Sequence, residues 1–276
     1  MAVQIFHVFR NTPLGKETLR QAADFVKQIN GELNVYVPEH DRFMLYFEYN
    51  AVEISLNASY LYSIETAHAN MNAVLDELGV AARLVHVKTK TGSTLPDIET
   101  TFDVISLPKV MTEPKGKLLS QSIGAGVRSL VNESPVPAII GPGRFAEWNA
   151  VHTFFGGSTH SIRALKWAIK ISSLAQVPLY VSSLCEGKNK QVQYENLLKK
   201  AAIPTDSFSE WKFWHEKSFI EMLNMVSRNS LIVMGAYGHH KIRSKLFGSK
   251  TELVLRNAAN MLMLVGARCK NPEELG

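Results

Sequence analysis

Cysteine is nearly missing from this chain: only Cys185 and Cys269 occur, far apart and without CxxC or Cys/His ligand spacing. That scarcity argues against a disulfide scaffold or a zinc site and makes a reducing cytoplasm the expected compartment. Long apolar runs are lacking too. None approaches the roughly 18–20 residues that span a bilayer, so no membrane partner is expected. The N-terminal stretch Met1–Phe9 has neither the basic flank nor the long apolar core of a secretory signal and reads as a first core strand. Catalytic signatures are also missing: no Gly-x-Ser-x-Gly elbow, no HExxH helix and no Walker lysine. Asp103, Asp206 and His215 stand isolated, with nothing in the sequence drawing them together. These residues do not point to an enzyme.

What is present is the composition of a folded chain, 46% hydrophobic and 20% charged over 276 residues, enough for two α/β domains. The net charge of +5 is modest and unevenly placed. Residues 1–146 carry 13 Lys and Arg against 15 Asp and Glu, whereas residues 147–276 carry 17 against 10. The basic excess suits an anionic ligand on the second half, but it is not gathered into a nucleic-acid motif, and no nucleic-acid partner is expected.

An internal repeat organises the chain. Gly124–Val131 runs into Pro135–Ile140, and 124 residues later Gly248–Leu255 runs into Asn260–Val265. Each is a glycine opening an amphipathic helix, then a turn, then an apolar strand. The preceding elements alternate in the same way. Val3–Phe9, Leu33–Val37, Arg83–Val87 and Phe102–Leu107 read as strands in the first half, with helices over Lys16–Gln28 and Ser59–Leu78. In the second half His152–Phe155, Pro178–Leu184, Glu210–His215 and Leu231–Gly235 read as strands, with helices over Ser161–Leu174, Tyr194–Ala201 and Phe219–Val226. Alternation of this kind predicts two tandem Rossmann-like domains, each an open five-stranded parallel sheet with helices on both faces. The Gly141-Pro142-Gly143-Arg144 punctuation places the join, giving domains 1–144 and 145–276.

The segment carrying the most chemistry follows the strand Leu231–Met234. Gly235-Ala236-Tyr237-Gly238 comes first, then nine residues, then Gly248-Ser249 at a helix start. Glycines at a strand's carboxyl end let backbone N–H groups approach an anion, and a helix start adds free N–H groups and a positive dipole end. Gly235, Gly238, Gly248 and Ser249 are therefore the expected phosphate-binding residues. Gly156, Gly157, Ser158, Met234, His239 and Lys241 are candidates for additional nucleotide contacts. Adjacent His239 and His240 point in different directions on most backbones, so no metal site is expected there.

The pattern Gly-x-x-Gly-x9-Gly-Ser, with Leu-Ile-Val-Met-Gly before it and Val-Leu-Arg-Asn-Ala after it, resembles the nucleotide loop of the universal stress protein family. Phe155-Gly156-Gly157-Ser158 is similar to that family's first strand-to-helix turn. The resemblance is sharp over residues 150–267 and fainter over 1–141, and together it has the form of the tandem-domain type. It implies an adenine nucleotide-binding fold, ATP as ligand with Mg2+ shared between phosphates and water, and a cytoplasmic stress-response role. It also implies an intrachain pseudo-dimer through the closing strands Ala138–Ile140 and Met263–Val265, or a homodimer.

Two departures bear on function. ATP-binding members carry an aspartate where this chain has Gly156. In the first half Met111, Pro114 and Ala125 stand opposite Gly235, Gly238 and Ser249, so that loop has lost donors and no nucleotide is expected there. Two other readings stay open: a nucleotide-free interaction and dimerisation module, and an adenylating ATP pyrophosphatase-type enzyme. The latter needs Ser-Gly-Gly-x-Asp-Ser where this chain has Phe155-Gly156-Gly157-Ser158-Thr159-His160. The aromatic-rich run Arg42–Ile54 is read as a cover over the vacated cleft of the first half or as a contact surface.

Overall fold

A computed structural model describes residues 2–48, 50–56, 63–87, 94–108, 125–187, 189–236 and 249–274. In the first half the elements are β1 (Gln4–Val8), α1 (Pro13–Gln28), β2 (Glu32–Tyr36), β3 (Arg42–Tyr46), β4 (Ala51–Ser55) and α2 (Ile64–Leu78). They continue through β5 (Ala82–Leu84), β6 (Asp97–Glu99), β7 (Val104–Leu107), α3 (Ala125–Glu133) and β8 (Ala138–Ile140). The second half runs β9 (Ala150–Phe154), α4 (Thr159–Ala175), β10 (Leu179–Cys185), α5 (Lys190–Lys200), β11 (Glu210–His215), α6 (Phe219–Asn224), β12 (Ser230–Gly235), α7 (Ser249–Asn257) and β13 (Leu262–Val265).

Ten strands form one sheet in the order β11-β10-β9-β12-β13-β8-β7-β1-β2-β5. Within each half the order is third, second, first, fourth, fifth, all parallel. The two open sheets of the sequence reading are thus present, joined edge to edge. The join is the antiparallel pairing of β13 with β8, Leu262 opposite Ile140, Met263 opposite Ile139 and Leu264 opposite Ala138. These are the closing strands expected to pair, and burying both edges removes two unpaired ladders from solvent.

The repeat extends to the start of each first helix. Thr12 caps α1 by accepting from the Gly15 N–H at 2.9 Å, and Ser158 caps α4 by accepting from the Ser161 N–H at 3.1 Å. Phe9-Arg10-Asn11-Thr12 and Phe155-Gly156-Gly157-Ser158 are therefore matched turns. The first residue of each donates to the neighbouring strand, Phe9 N–H to Tyr36 and Phe155 N–H to Ser182, both at 2.9 Å. Helix α1 buries Leu19, Ala22, Ala23, Phe25 and Val26 on one stripe, and α4 buries Ala164, Leu165, Trp167, Ala168 and Ile171. Each large apolar side chain so buried contributes about 1.5–3 kcal/mol.

One sheet face carries α1, α2, α4 and α5. The opposite face carries α3, α6, α7 and, over the first half, a second sheet in the order β4-β3-β6. The aromatic-rich run supplies two strands of that small sheet, which burial explains: Phe43, Leu45, Val52 and Ile54 turn inward while Arg42, Ala51, Glu53 and Ser55 face out.

Candidate functional site

At the carboxyl ends of β9, β10 and β12 a cleft of about 260 Å3 opens in the second half. Open parallel sheets form such crevices where the strand order reverses, here between β9 and β12. Its floor is Phe154, Ser182, Leu184 and Met234; its rims are the first turns of α4 and α7. Lys250 and Thr251 on α7 reach it from one side, Glu186, Lys190 and Tyr194 from the other, and Phe219 and Met222 of α6 close it behind.

Each predicted residue within the described chain has a definite place. Gly235 ends β12 where a side chain would stand 2.9 Å from the His160 carbonyl oxygen, so the glycine lets this strand end pass against the start of α4. Thr251 Oγ1 donates to the Gly235 carbonyl at 3.5 Å and ties α7 to the same strand end. Gly157 has φ +75°, and a side chain there would meet the Tyr194 ring at 2.9 Å. Its adjoining turn is held against α5, and Gly157 itself does not line the cleft. Gly156 and Ser158 line the cleft, as does Met234. A side chain at Gly156 would meet nothing within 4 Å. Ser249 opens α7, but nothing further is described of its side chain. Gly238, His239, Lys241 and Gly248 lie outside the described residues, as do Met111, Pro114 and Gly124 of the first-half loop.

The surrounding side chains set the electrostatics. The Lys250 ammonium lies 5.5 Å from the Phe219 ring centroid, and Lys190 lies 5.5 Å from that of Tyr194. Tyr194 donates its hydroxyl to the Leu184 carbonyl at 3.1 Å, and burial raises its pKa. Beneath the floor, Ser182 Oγ meets His152 Nε2 at 3.1 Å and accepts from Trp214 Nε1 at 3.2 Å. Burial lowers the His152 pKa to about 4, so this imidazole is neutral near pH 7. Two helix starts and two lysines on a shallow wall can hold an anion. Asp103 accepts the Gln4 N–H in the other half, and neither Asp206 nor His215 lines the cleft. Trp211 is half-buried and packs against the core, 6.0 Å from the Phe155 ring.

Lys250, Thr251, Glu186, Lys190 and Tyr194 were not singled out from the sequence. Lys250 and Thr251 directly follow the glycine motif and were within reach of it. Glu186 follows the second strand of its half, a position that gains meaning only once β10 is known to lie beside β9.

The matched place in the first half is closed. There the strand ends of β1 and β7 leave a hollow of about 10 Å3, walled by Phe6, Val8, Ile105 and Leu107 and plugged by Leu45, Ile54 and Leu56. Arg10, only 4% exposed, stands where Gly156 stands in the second half. The small sheet therefore covers the first-half crevice, one of the two roles read for its sequence.

Fold and cleft together define a tandem, doubly wound α/β protein with one open and one plugged strand-end crevice. No family model matches the chain. A universal stress protein of Synechocystis is 28% identical over 202 residues, spanning 69% of this chain and 68% of that protein. A universal stress protein from Archaeoglobus fulgidus superposes with a TM-score of 0.57 at 13% identity, covering 98% of this chain and 97% of that one. A putative universal stress protein from Pseudomonas aeruginosa gives 0.58 at 11%, covering 97% and 94%. The cytoplasmic domain of a prokaryotic cation chloride cotransporter shares the fold at 0.53 and 10%, covering 98% of each chain. The resemblance to the universal stress proteins thus holds in sequence and in fold, and it takes the tandem-domain form.

Proposed function

We propose that the second half binds ATP or a related adenine nucleotide in this cleft, in a stress-response role. The observation that carries the reading is the contrast between halves. A crevice of about 260 Å3 opens between two helix starts in one half, and the matched crevice of the other is filled. The phosphates lie against the backbone N–H groups of the segment from Gly235 through Gly238 and Gly248 to Ser249, with Lys250 as counter-charge. The nucleoside end lies toward Gly156 and Ser158, with Met234 at the floor. His239 and Lys241 supply further positive charge, and Gly157 supports the turn from behind.

Among the described residues no cluster of three His, Cys, Asp or Glu side chains is placed to hold a metal. An accompanying Mg2+ would therefore draw its ligands from the phosphates and water. Turnover is slow at most, because the sequence offers no arginine finger or catalytic-base motif. Among the described residues no helix is long and apolar enough to cross a membrane; a cytoplasmic site of action, the division at 144/145 and any pairing of two chains belong to this proposal.

Mass spectrometry of the purified protein tests it first, with adenine nucleotide expected to co-purify. Titration of ATP into wild type and Gly238→Val then tests the loop. The valine is expected to weaken binding at least tenfold, about 1.4 kcal/mol, by blocking approach to the backbone donors. Unchanged affinity removes the phosphate assignment. Gly156 favours a second reading, a nucleotide-free interaction module, which gains if wild type binds no ATP at millimolar concentration. The adenylating reading finds Phe155, Thr159 and His160 where its polar groups belong.

A further inference from the structure

Resting on the nucleotide reading, we infer that Glu186 is the acceptor for the sugar hydroxyls of the ligand, making the site selective for ribonucleoside phosphates with an intact 2′,3′-diol. Among the polar side chains around the cleft Lys190 and Lys250 are cations, while the hydroxyls of Ser158, Ser161 and Thr251 already donate within the protein. A phosphate chain suits the two lysines. A ribose presents the opposite need, two hydroxyl donors seeking an acceptor, and Glu186 is the one carboxylate among the described residues that line the cleft.

Its position follows from the sheet. Strands β9 and β10 are parallel neighbours with Phe154 opposite Ser182, so Gly156 leaves β9 level with Leu184. Glu186 emerges two residues further along the β10 face that places Ser182 and Leu184 in the cleft. In the order β10-β9-β12, Glu186 lies beyond β9 from the start of α7, on the side of the cleft left to the nucleoside when the phosphates rest on that helix start. Gly156 contributes no side chain, and the space in front of it is open. The Glu186 carboxylate is exposed and engaged in no hydrogen bond or ion pair among the described residues. Nearby Lys190 lies over the Tyr194 ring and shares a 3.4 Å hydrogen bond with Gln193 Oε1.

The test is a titration of the full chain with ATP and with 2′,3′-dideoxy-ATP, in wild type, Glu186→Ala and Glu186→Gln. Wild type is expected to prefer ATP by about tenfold or more, as for loss of a charge-assisted hydrogen bond. Glu186→Ala is expected to weaken ATP by that same factor and leave the dideoxy ligand unchanged, so the preference collapses toward one. Glu186→Gln, which keeps an acceptor oxygen without the charge, falls between. Because Glu186 is exposed, all three proteins are expected to share one melting temperature. If ATP binds and Glu186→Ala keeps the full preference, the Glu186 assignment is overturned while the nucleotide reading stands. If neither ligand binds wild type, both fall together.

Discussion

The two halves share a strand order, a capped first turn and a closing helix and strand, yet treat the same crevice in opposite ways. In the second half α6 is a single six-residue helix, and the strand ends stay open above it. In the first half the small sheet β4-β3-β6 lies on the corresponding face and fills the strand ends with Leu45, Ile54 and Leu56. The matched turn carries buried Arg10 instead of a small residue. The repeated fold thus leaves one crevice open and fills the other with apolar side chains.

The plug is where this contrast breaks most easily. Phe43 is fully buried and packs edge-on to Tyr36 at 5.0 Å between ring centroids. Phe43→Ala is expected to cost about 3–5 kcal/mol by urea denaturation, the sum of lost transfer energy and an unfilled cavity. It is not expected to create ATP binding in the first half, because Pro114 and Ala125 still lack the required donors.

The junction comes next. Arg128 on α3 and Glu252 on α7 occupy matched positions, 124 residues apart, and form an ion pair across the join with side chains 12% and 16% exposed. Two copies of one half arranged by the same symmetry would set Arg128 against another Arg128, or Glu252 against another Glu252. The opposite charges therefore favour pairing of unlike halves. Arg128→Glu is expected to destabilise the chain by about 2–4 kcal/mol, since it leaves two half-buried carboxylates together. Adding Glu252→Arg is expected to recover most of that loss, and a double-mutant cycle by denaturation measures the coupling. A cycle with no coupling would reduce the pair to an incidental contact.

Among the described residues a histidine in each half has a lowered pKa, His7 fully buried and His152 half-buried. His7, beneath α1 with Nδ1 3.0 Å from Ser106 Oγ, is brought to about 3, chiefly by burial and secondarily by Arg10. His152 is brought to about 4 by burial. Between those values and the ordinary 6.5, the unfolded chain binds more protons than the folded one. Stability is therefore full above pH 6.5 and falls with acid, by about 2 kcal/mol for each histidine at pH 5. Denaturation at pH 7 and pH 5 measures the total, and His152→Gln is expected to remove the second half's share.

Much of this architecture was legible in the sequence, for reasons tied to particular residues. The strands Leu231–Met234 and Leu262–Val265 are continuous apolar runs, as burial on both faces demands, and Ala138–Ile140 repeats the pattern, whereas the pairing of the closing strands was implied by the family resemblance. The caps at Thr12 and Ser158 follow a common pattern, a hydroxyl just before an apolar-periodic stretch. The small sheet was not readable as strands. Its third strand, Asp97–Glu99, is only three residues long and lies far along the chain from Arg42–Tyr46. The phosphate motif announced itself through spacing, but the acceptor side of the cleft did not. Glu186 is a lone carboxylate in the sequence and joins a site only through the β9–β10 register.

The smallest expected effect sharpens the comparison most, since it adds back what the second half lacks. At Gly156 a side chain meets nothing within 4 Å, so Gly156→Asp is expected to leave the melting temperature unchanged. Its carboxylate would reach the same nucleoside end as Glu186, and two outcomes follow from that overlap. With Glu186 present, the new acceptor adds a hydrogen bond but places like charges together, and the gain in ATP affinity is expected to be no more than a few-fold. In a Glu186→Ala background the repulsion is gone, and Gly156→Asp is expected to restore about tenfold, close to 1.4 kcal/mol. Equal gains in both backgrounds, measured by titration, would mean that the two positions do not serve one sugar. A larger gain without Glu186 would mean that the acceptor function has moved from the first strand's exit to the second's.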